Sequence, residues 1–337
     1  MFLLARTVQG IGTALALSCT PALATAIYPP EQRIKALAGY AMTMSLAATV
    51  APFLGGILVA MYDWQAVYWV RVPIALLALT LSGALPSPHT DSRQFDVLGA
   101  ILLVASMGML LLALVLSQRP SVSVWIALGL FAAALAVLHR YVMRSLNSAE
   151  PIIRPELFAD AAFTIPNVMN ALANLAGFAI LLLTPYYLMN VLHLSPMMSG
   201  FMLALAYTGA LAGAPLAARL VPWFGRRPTA FIGIVLVGLG LLPLGLTGPA
   251  AAVPVVAFLL ILEGMGQGLL NVAYTDLVTG TLPECDRGVA GSLALLTRTV
   301  GIVSGASILT ALHAHGTAGG DFLAAIGSPS LPPEADC

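Results

Sequence analysis

Glu263, Gln267, Asn271 and Tyr274 stand alone as polar residues in an otherwise apolar stretch. At ~100° per residue on a helix they fall within ~80° of one another, on a single face. A carboxyl there can take up and release a proton, while the amides and the phenol beside it hydrogen-bond a solute or one another. Asn167, Asn170 and Asn174 make a second stripe, within ~60°. Its simpler reading is hydrogen bonding between helices. Asp276 points away from the first stripe, and Arg298 lies in the next apolar stretch at a depth between Glu263 and Asp276. Either carboxylate could pair with it. Arg6 interrupts the first apolar stretch, with Gln9 three residues on. The pair either faces an interior, or Arg6 snorkels from the membrane edge.

The elements that carry these residues are long. Hydrophobic residues make up 59% of the 337, and only 8% are charged. Leu98 to Leu116 carries no charge. Similar blocks cover 3–28, 38–61, 66–85, 122–138, 161–192, 200–218, 229–246, 253–278 and 289–312. About 20 apolar residues, at ~1.5 Å each, cross the ~30 Å hydrocarbon core. Backbone groups in lipid must be satisfied within the segment, and the blocks lack two-residue alternation, so helices rather than a barrel are expected. The sequence predicts an all-α polytopic membrane protein with about ten transmembrane helices. In the block 38–61, Ala47, Ala51 and Gly55 recur every four residues, with Pro52 and Gly56 among them. That stripe suits close approach of another backbone, and Pro52 suits a bend.

Several function classes drop out. No GxxxxGK[ST], HExxH or GxSxG arrangement occurs, which argues against ATP as the driver and against an intramembrane enzyme. Cys19, Cys285 and Cys337 have no redox or metal spacing, and His313 with His315 is too few ligands. No metal, no cofactor and no nucleic acid are expected.

Loop charge sets orientation. Arg33, Lys35, Arg93, Arg140, Arg144, Arg154, Arg219, Arg226, Arg227 and Arg287 fall in alternate loops, while the intervening loops hold only Arg119. The richer side is expected to be cytoplasmic. Ten spans would then leave both ends outside. The connection 139–160, with Pro151 and Pro155, divides residues 1–138 from a second bundle at 161–313. Residues 314–337, rich in Gly, Pro and Ser, read as a flexible tail.

Certain segments resemble a known family. Arg6-Thr7-Val8-Gln9-Gly10-Ile11-Gly12-Thr13-Ala14 is similar to the RxxQGxGxA signature of the major facilitator superfamily, and Ala47 through Gly56 to its antiporter motif gxxxGPxxGG. Asp63-Trp64-Gln65 with Arg71-Val72-Pro73 resembles the W-R…N-x-P pattern of the fourteen-helix drug:proton antiporter branch, with Gln65 for Arg and Arg71 for Asn. Phe95 to Gly99 looks like the start of that branch's extra central helix pair. Tyr187-Leu188 with Leu194-Ser195-Pro196 and Gly200, and Gly264, Gly266 and Gly268 with Arg298, Gly301 and Gly305, look like its later helices. Arg219 to Arg227 resembles its second cytoplasmic motif loop, but Pro222-Trp223 stand where Asp-Arg is usual.

The resemblance implies major-facilitator-like bundles in a bacterial inner membrane and alternating access to a site between them. It implies a lipophilic small-molecule substrate exchanged for protons. Residues 1–138 would be an incomplete first bundle plus the central pair, since the first span aligns with the family's fourth. Three helices at the front and one at the back would then lie outside this chain, and a non-transporting remnant is the alternative. Arg6, Glu263, Asp276 and Arg298 become candidates for proton coupling. Gln9, Asn167, Asn170, Asn174, Gln267, Asn271 and Tyr274 become candidates for the substrate cavity. Ala47, Ala51, Pro52, Gly55 and Gly56 would form a hinge and a seal against proton leak. No segment identifies a periplasmic adaptor.

Overall fold

A computed structural model describes residues 2–29, 31–62, 65–84, 96–117, 119, 122–148, 151–153, 155–247, 251–281 and 287–319. Among them every regular element is helical. In chain order these are α1 (Phe2–Ile27), α2 (Arg33–Tyr62), α3 (Ala66–Trp69), α4 (Arg71–Ser82), α5 (Val97–Leu116), α6 (Val124–Leu146), α7 (Ala161–Tyr186), α8 (Pro196–Phe224), α9 (Arg226–Leu246), α10 (Val253–Thr281) and α11 (Arg287–Gly319). A 3₁₀ turn at Pro155–Ala159 precedes α7, and a π-turn at Tyr187–Val191 follows it.

Helix ends follow local chemistry. The side chains of Asp96, Asp160 and Ser195 accept backbone N–H bonds from Gly99, Ala162 and Met198 at the starts of α5, α7 and α8, satisfying donors a helix leaves open. Gly225 separates α8 from α9 at φ 88°, a backbone conformation that only glycine adopts without cost.

Among the described residues, eight of the ten expected spans hold a stretch long and apolar enough to cross a bilayer. The other two are α1, which carries Arg6 and Gln9 in its first turns, and the 66–82 stretch, which breaks at Val70 into α3 and α4. Pro73, in the first turn of α4, offers no N–H to the preceding turn, which accounts for a restart there. Among the helix ends that differ from the sequence expectation, two bear on how the chain divides. The helix entering the central connection runs to Leu146 rather than 138, so Arg140 and Arg144 are helical. Long basic side chains prolong a helix past the membrane edge readily, because their stems lie on apolar surface. Likewise α11 continues to Gly319, six residues into the expected tail. The remainder, 320–337, falls outside the described residues, as do Asp63, Trp64, Arg93, Phe95 and Cys285.

The packing centre is α10. It runs between α8 and α9 and also touches α2, α7 and α11. Lipid is as apolar as the helices, so their association rests on van der Waals contact and close backbone approach. Glycines provide that approach. A Cβ on Gly264 or Gly268 would land on the carbonyl oxygens of Ala206 and Ala210 of α8, and one on Gly266 would meet Gly233 and Val237 of α9. Gly301 and Gly305 of α11 lie in the same way against Ala171 and Leu175 of α7. The α5–α6 hairpin stands to one side, tied to α11 where Ser307 Oγ donates to the Leu114 carbonyl at 3.1 Å.

Charges gather at the end where α2, α5, α7, α9 and α11 begin. There Arg226 pairs with Asp276 at 2.6 Å and Arg144 with Asp96 at 2.9 Å. The N–H of Gly99, and then Arg144, hold the Asp96 carboxyl below its usual range. Because the folded value is depressed, whatever this cap and pair contribute is present at neutral pH. It is lost as the pH falls through that lowered value.

The charge asymmetry gives a direct test. A cysteine at Val122 is expected to react with an impermeant thiol reagent added outside intact cells, and one at Ser148 is expected to stay protected. The reverse pattern would overturn the orientation.

Candidate functional site

Both polar stripes face inward and meet. Asn167, Asn170 and Asn174 of α7 are buried, as are Glu263 and Tyr274 of α10, while Gln267 and Asn271 are partly buried. Lipid-facing amides would lack partners, and four of these five amides hydrogen-bond inside the bundle, whereas the Asn271 side chain bonds to none of the described residues. Tyr274 donates its hydroxyl to Asn167 Oδ1 at 2.9 Å and sits 3.1 Å from Thr297 Oγ1 of α11. Asn170 Nδ2 donates to the same Thr297 oxygen at 2.9 Å. Asn174 Nδ2 donates to the Asn170 carbonyl at 2.8 Å, and Gln267 Nε2 donates to Asn174 Oδ1 at 3.3 Å. The network therefore joins α7, α10 and α11. It includes Thr297, which sequence reasoning passed over, since one hydroxyl in an apolar helix carries no signal.

The network opens toward mid-membrane into a cavity of about 800 Å³ between α2, α7, α8, α10 and α11. Its walls are largely apolar, with Phe178 and Tyr207 as aromatic surfaces and Ala48 and Thr49 contributed by α2. Glu263, Gln267, Asn174 and Arg298 are its polar points. Glu263 lies ten residues into α10, ~15 Å from the helix start. It is 5% exposed. Gly177 of α7 leaves room beside its Oε1, and a Cβ on Gly240 of α9 would collide with its own Cβ. No hydrogen bond or ion pair to its carboxylate occurs among the described residues. The neighbouring Gln267 Oε1 is buried without a partner. Two acceptors thus lie here that no described protein group satisfies, and an unmet buried acceptor is costly.

Sequence left the partner of Arg298 open between Glu263 and Asp276. The structure gives Asp276 to Arg226, at the basic end of α9 and α10. Arg298 is exposed into the cavity that Glu263 lines, with no ion pair between them among the described residues. Asp276 takes no part in the cavity lining.

The Arg6 and Gln9 pair lies elsewhere. Arg6 donates to Gln9 Oε1 at 3.2 Å and to the Tyr68 hydroxyl, its guanidinium 4.9 Å from that ring, and Arg71 lies 5.7 Å from the same ring. Arg6 is exposed and lines a groove of about 380 Å³ between α1 and α11 with Gln9, Thr13 and Thr299. The structure does not bring it to Glu263.

Of the small-residue stripe of α2, only the side chains of Ala47 and Ala51 are among those described. Ala47 and Ala51 are exposed, and the adjacent Ala48 and Thr49 face the cavity instead. α2 is oriented by its basic-end half, where Ile34, Leu37, Ala38 and Ala41 are buried against Ala214 and Ala217 of α8 and Leu269 and Val272 of α10. The side chains of Pro52, Gly55 and Gly56 fall outside the described residues. Among the described residues no group of His, Cys, Asp or Glu is placed to hold a metal.

A bundle of apolar helices around an inner cavity with a few polar points defines the class, a polytopic helical membrane protein. Residues 1–306 match the family model described as Major Facilitator Superfamily, and the chain belongs to that family. Among curated proteins it is 26% identical over 313 residues to the tetracenomycin C resistance and export protein of Streptomyces glaucescens, covering 92% of this chain and 58% of that one. It is 28% identical over 339 residues to the multidrug resistance protein Stp of Mycobacterium tuberculosis, covering 98% and 60%. A putative multidrug resistance protein of Salmonella typhi is 26% identical over 295 residues, covering 86% and 61%. The chain thus spans about three fifths of the length of these relatives. Among solved structures, a bacterial homologue of the iron transporter ferroportin in an outward-facing state aligns over 93% of this chain and 84% of that one. Its TM-score is 0.40 and its identity 19%, too loose a likeness to speak to function.

Proposed function

We propose that the chain serves as a secondary transporter of the bacterial inner membrane that exports lipophilic small molecules in exchange for protons. The observation that carries this is the cavity itself, with apolar and aromatic walls and an uncommitted carboxylate at mid-depth. Curated relatives named for multidrug resistance and for export support the same reading. Apolar walls accept many shapes, whereas a few polar points orient them. In this reading Glu263 is the proton-linked carboxylate, because it alone combines burial, depth and freedom from a protein partner. Arg298 sets the local field, and Arg6 and Asp276 act outside the cavity. The units expected at 1–138 and 161–313 enclose the site between α2 and the α7–α11 block. Rocking of one against the other would alternate access.

The test is movement of ethidium into inverted vesicles from a bacterium lacking its own pumps and expressing this chain. Accumulation on energising, abolished by a protonophore, is the expected result. Accumulation indifferent to the protonophore would overturn proton coupling. No accumulation above vesicles without the chain would favour the non-transporting alternative.

A further inference from the structure

We infer that the cleft at the basic end of the α5–α6 hairpin is a binding site for an anionic phospholipid, with its headgroup on Arg140 and an acyl chain along Leu98, Leu102 and Met143. The cleft holds about 570 Å³, lies between the start of α5 and the last two turns of α6, and shares no lining residue with the central cavity. Its floor is apolar, and its rim carries Arg140, Arg144, Asn147 and Ser148. Arg140 and Arg144 are four residues apart, so they project from one face. The face one residue round is already occupied. There Tyr141 and Ser145 bind the backbone of Ile153 and hold the following connection against α6. That strap leaves the arginine face open.

The two arginines are not equivalent. Arg144 is bonded to Asp96, whereas no described residue engages the Arg140 guanidinium. A single uncompensated cation thus stands over an apolar groove at the height where a helix leaves the membrane. Its charge selects a phosphate, and the groove beneath it selects a molecule that carries an acyl chain. Basic pockets between helices on the cytoplasmic side recruit anionic headgroups on this principle. The site goes beyond the transport reading and does not depend on it.

Native mass spectrometry of the whole purified chain with dioleoyl phosphatidylglycerol or dioleoyl phosphatidylcholine tests it. Phosphatidylglycerol should be retained about fivefold more than phosphatidylcholine. R140Q should erase that preference, R140K should keep it, and R119Q at the opposite end should leave it unchanged. Asp96→Asn, which frees Arg144, should strengthen it, a gain that misfolding cannot produce. Excess inorganic phosphate should not displace the lipid. Equal retention of both lipids, an unaltered preference in R140Q, or displacement by phosphate alone would overturn the site.

Discussion

Glu263→Gln is expected to remove the pH dependence of ligand binding while leaving the protein folded in the membrane. A lipophilic cation such as ethidium, bound by the wild-type chain at about pH 8, should be released as the pH falls to about 5, since a proton on the carboxylate removes the charge that attracts it. The sign is fixed by chemistry, because protonation and cation binding compete for one group. A desolvated charge contact is worth ~2–5 kcal/mol, so the glutamine variant should lose at least about 30-fold in affinity at the higher pH and show a flat profile. Glutamine keeps the shape and stands in for the protonated acid, which separates charge from packing. Fluorescence titration of the purified chain reads both quantities. A variant with the wild-type affinity and profile would make Glu263 structural and turn attention to Asp276. That residue would have to act through its ion pair with Arg226, remote from the cavity.

Gly264→Val is expected to destabilise the fold more than any cavity substitution. The added carbon falls on the backbone carbonyl of Ala206, which cannot rotate aside as a side chain would. α8 and α10 must therefore part along a seam where their backbones are in direct contact. Overpacking of this sort costs ~1–3 kcal/mol, visible as a lower thermal midpoint in size-exclusion chromatography after heating. Gly238→Val is the matched control, because a Cβ there meets nothing within 4 Å. Equal behaviour of the two variants would show that the α8–α10 contact has slack.

The residues differ in how much of this could be read from the chain alone. Fold class was plain, because apolar block length and the cost of unpaired backbone in lipid leave few alternatives. The inward direction of both polar stripes was legible for the same reason, and Tyr274 and Gln267 do meet Asn167 and Asn174. Pairings were not legible. Arg226 precedes its partner Asp276 by fifty residues and belongs to a different helix, and helical periodicity gives the face of a residue but never its neighbour. The facing of the α2 stripe was not legible either, because a run of small residues marks a surface that can be approached, not one that is. Orientation of α2 follows from Leu37 and Ala41 seeking α8 and α10, and a helix has only one rotation to give.

The glycine seams also bear on how such a chain can change over generations. Gly264, Gly268, Gly209 and Gly213 along α8 and α10, and Gly233, Gly240 and Gly266 between α9 and α10, admit no larger residue without moving backbone. The cavity walls obey a looser rule. Leu181, Leu203 and Ile302 line open space, so exchanging one aliphatic side chain for another reshapes the chamber without disturbing any seam. Under the proposed function, substitutions that change which solutes fit are expected in those walls, while the three-helix spine α8–α9–α10 tolerates few.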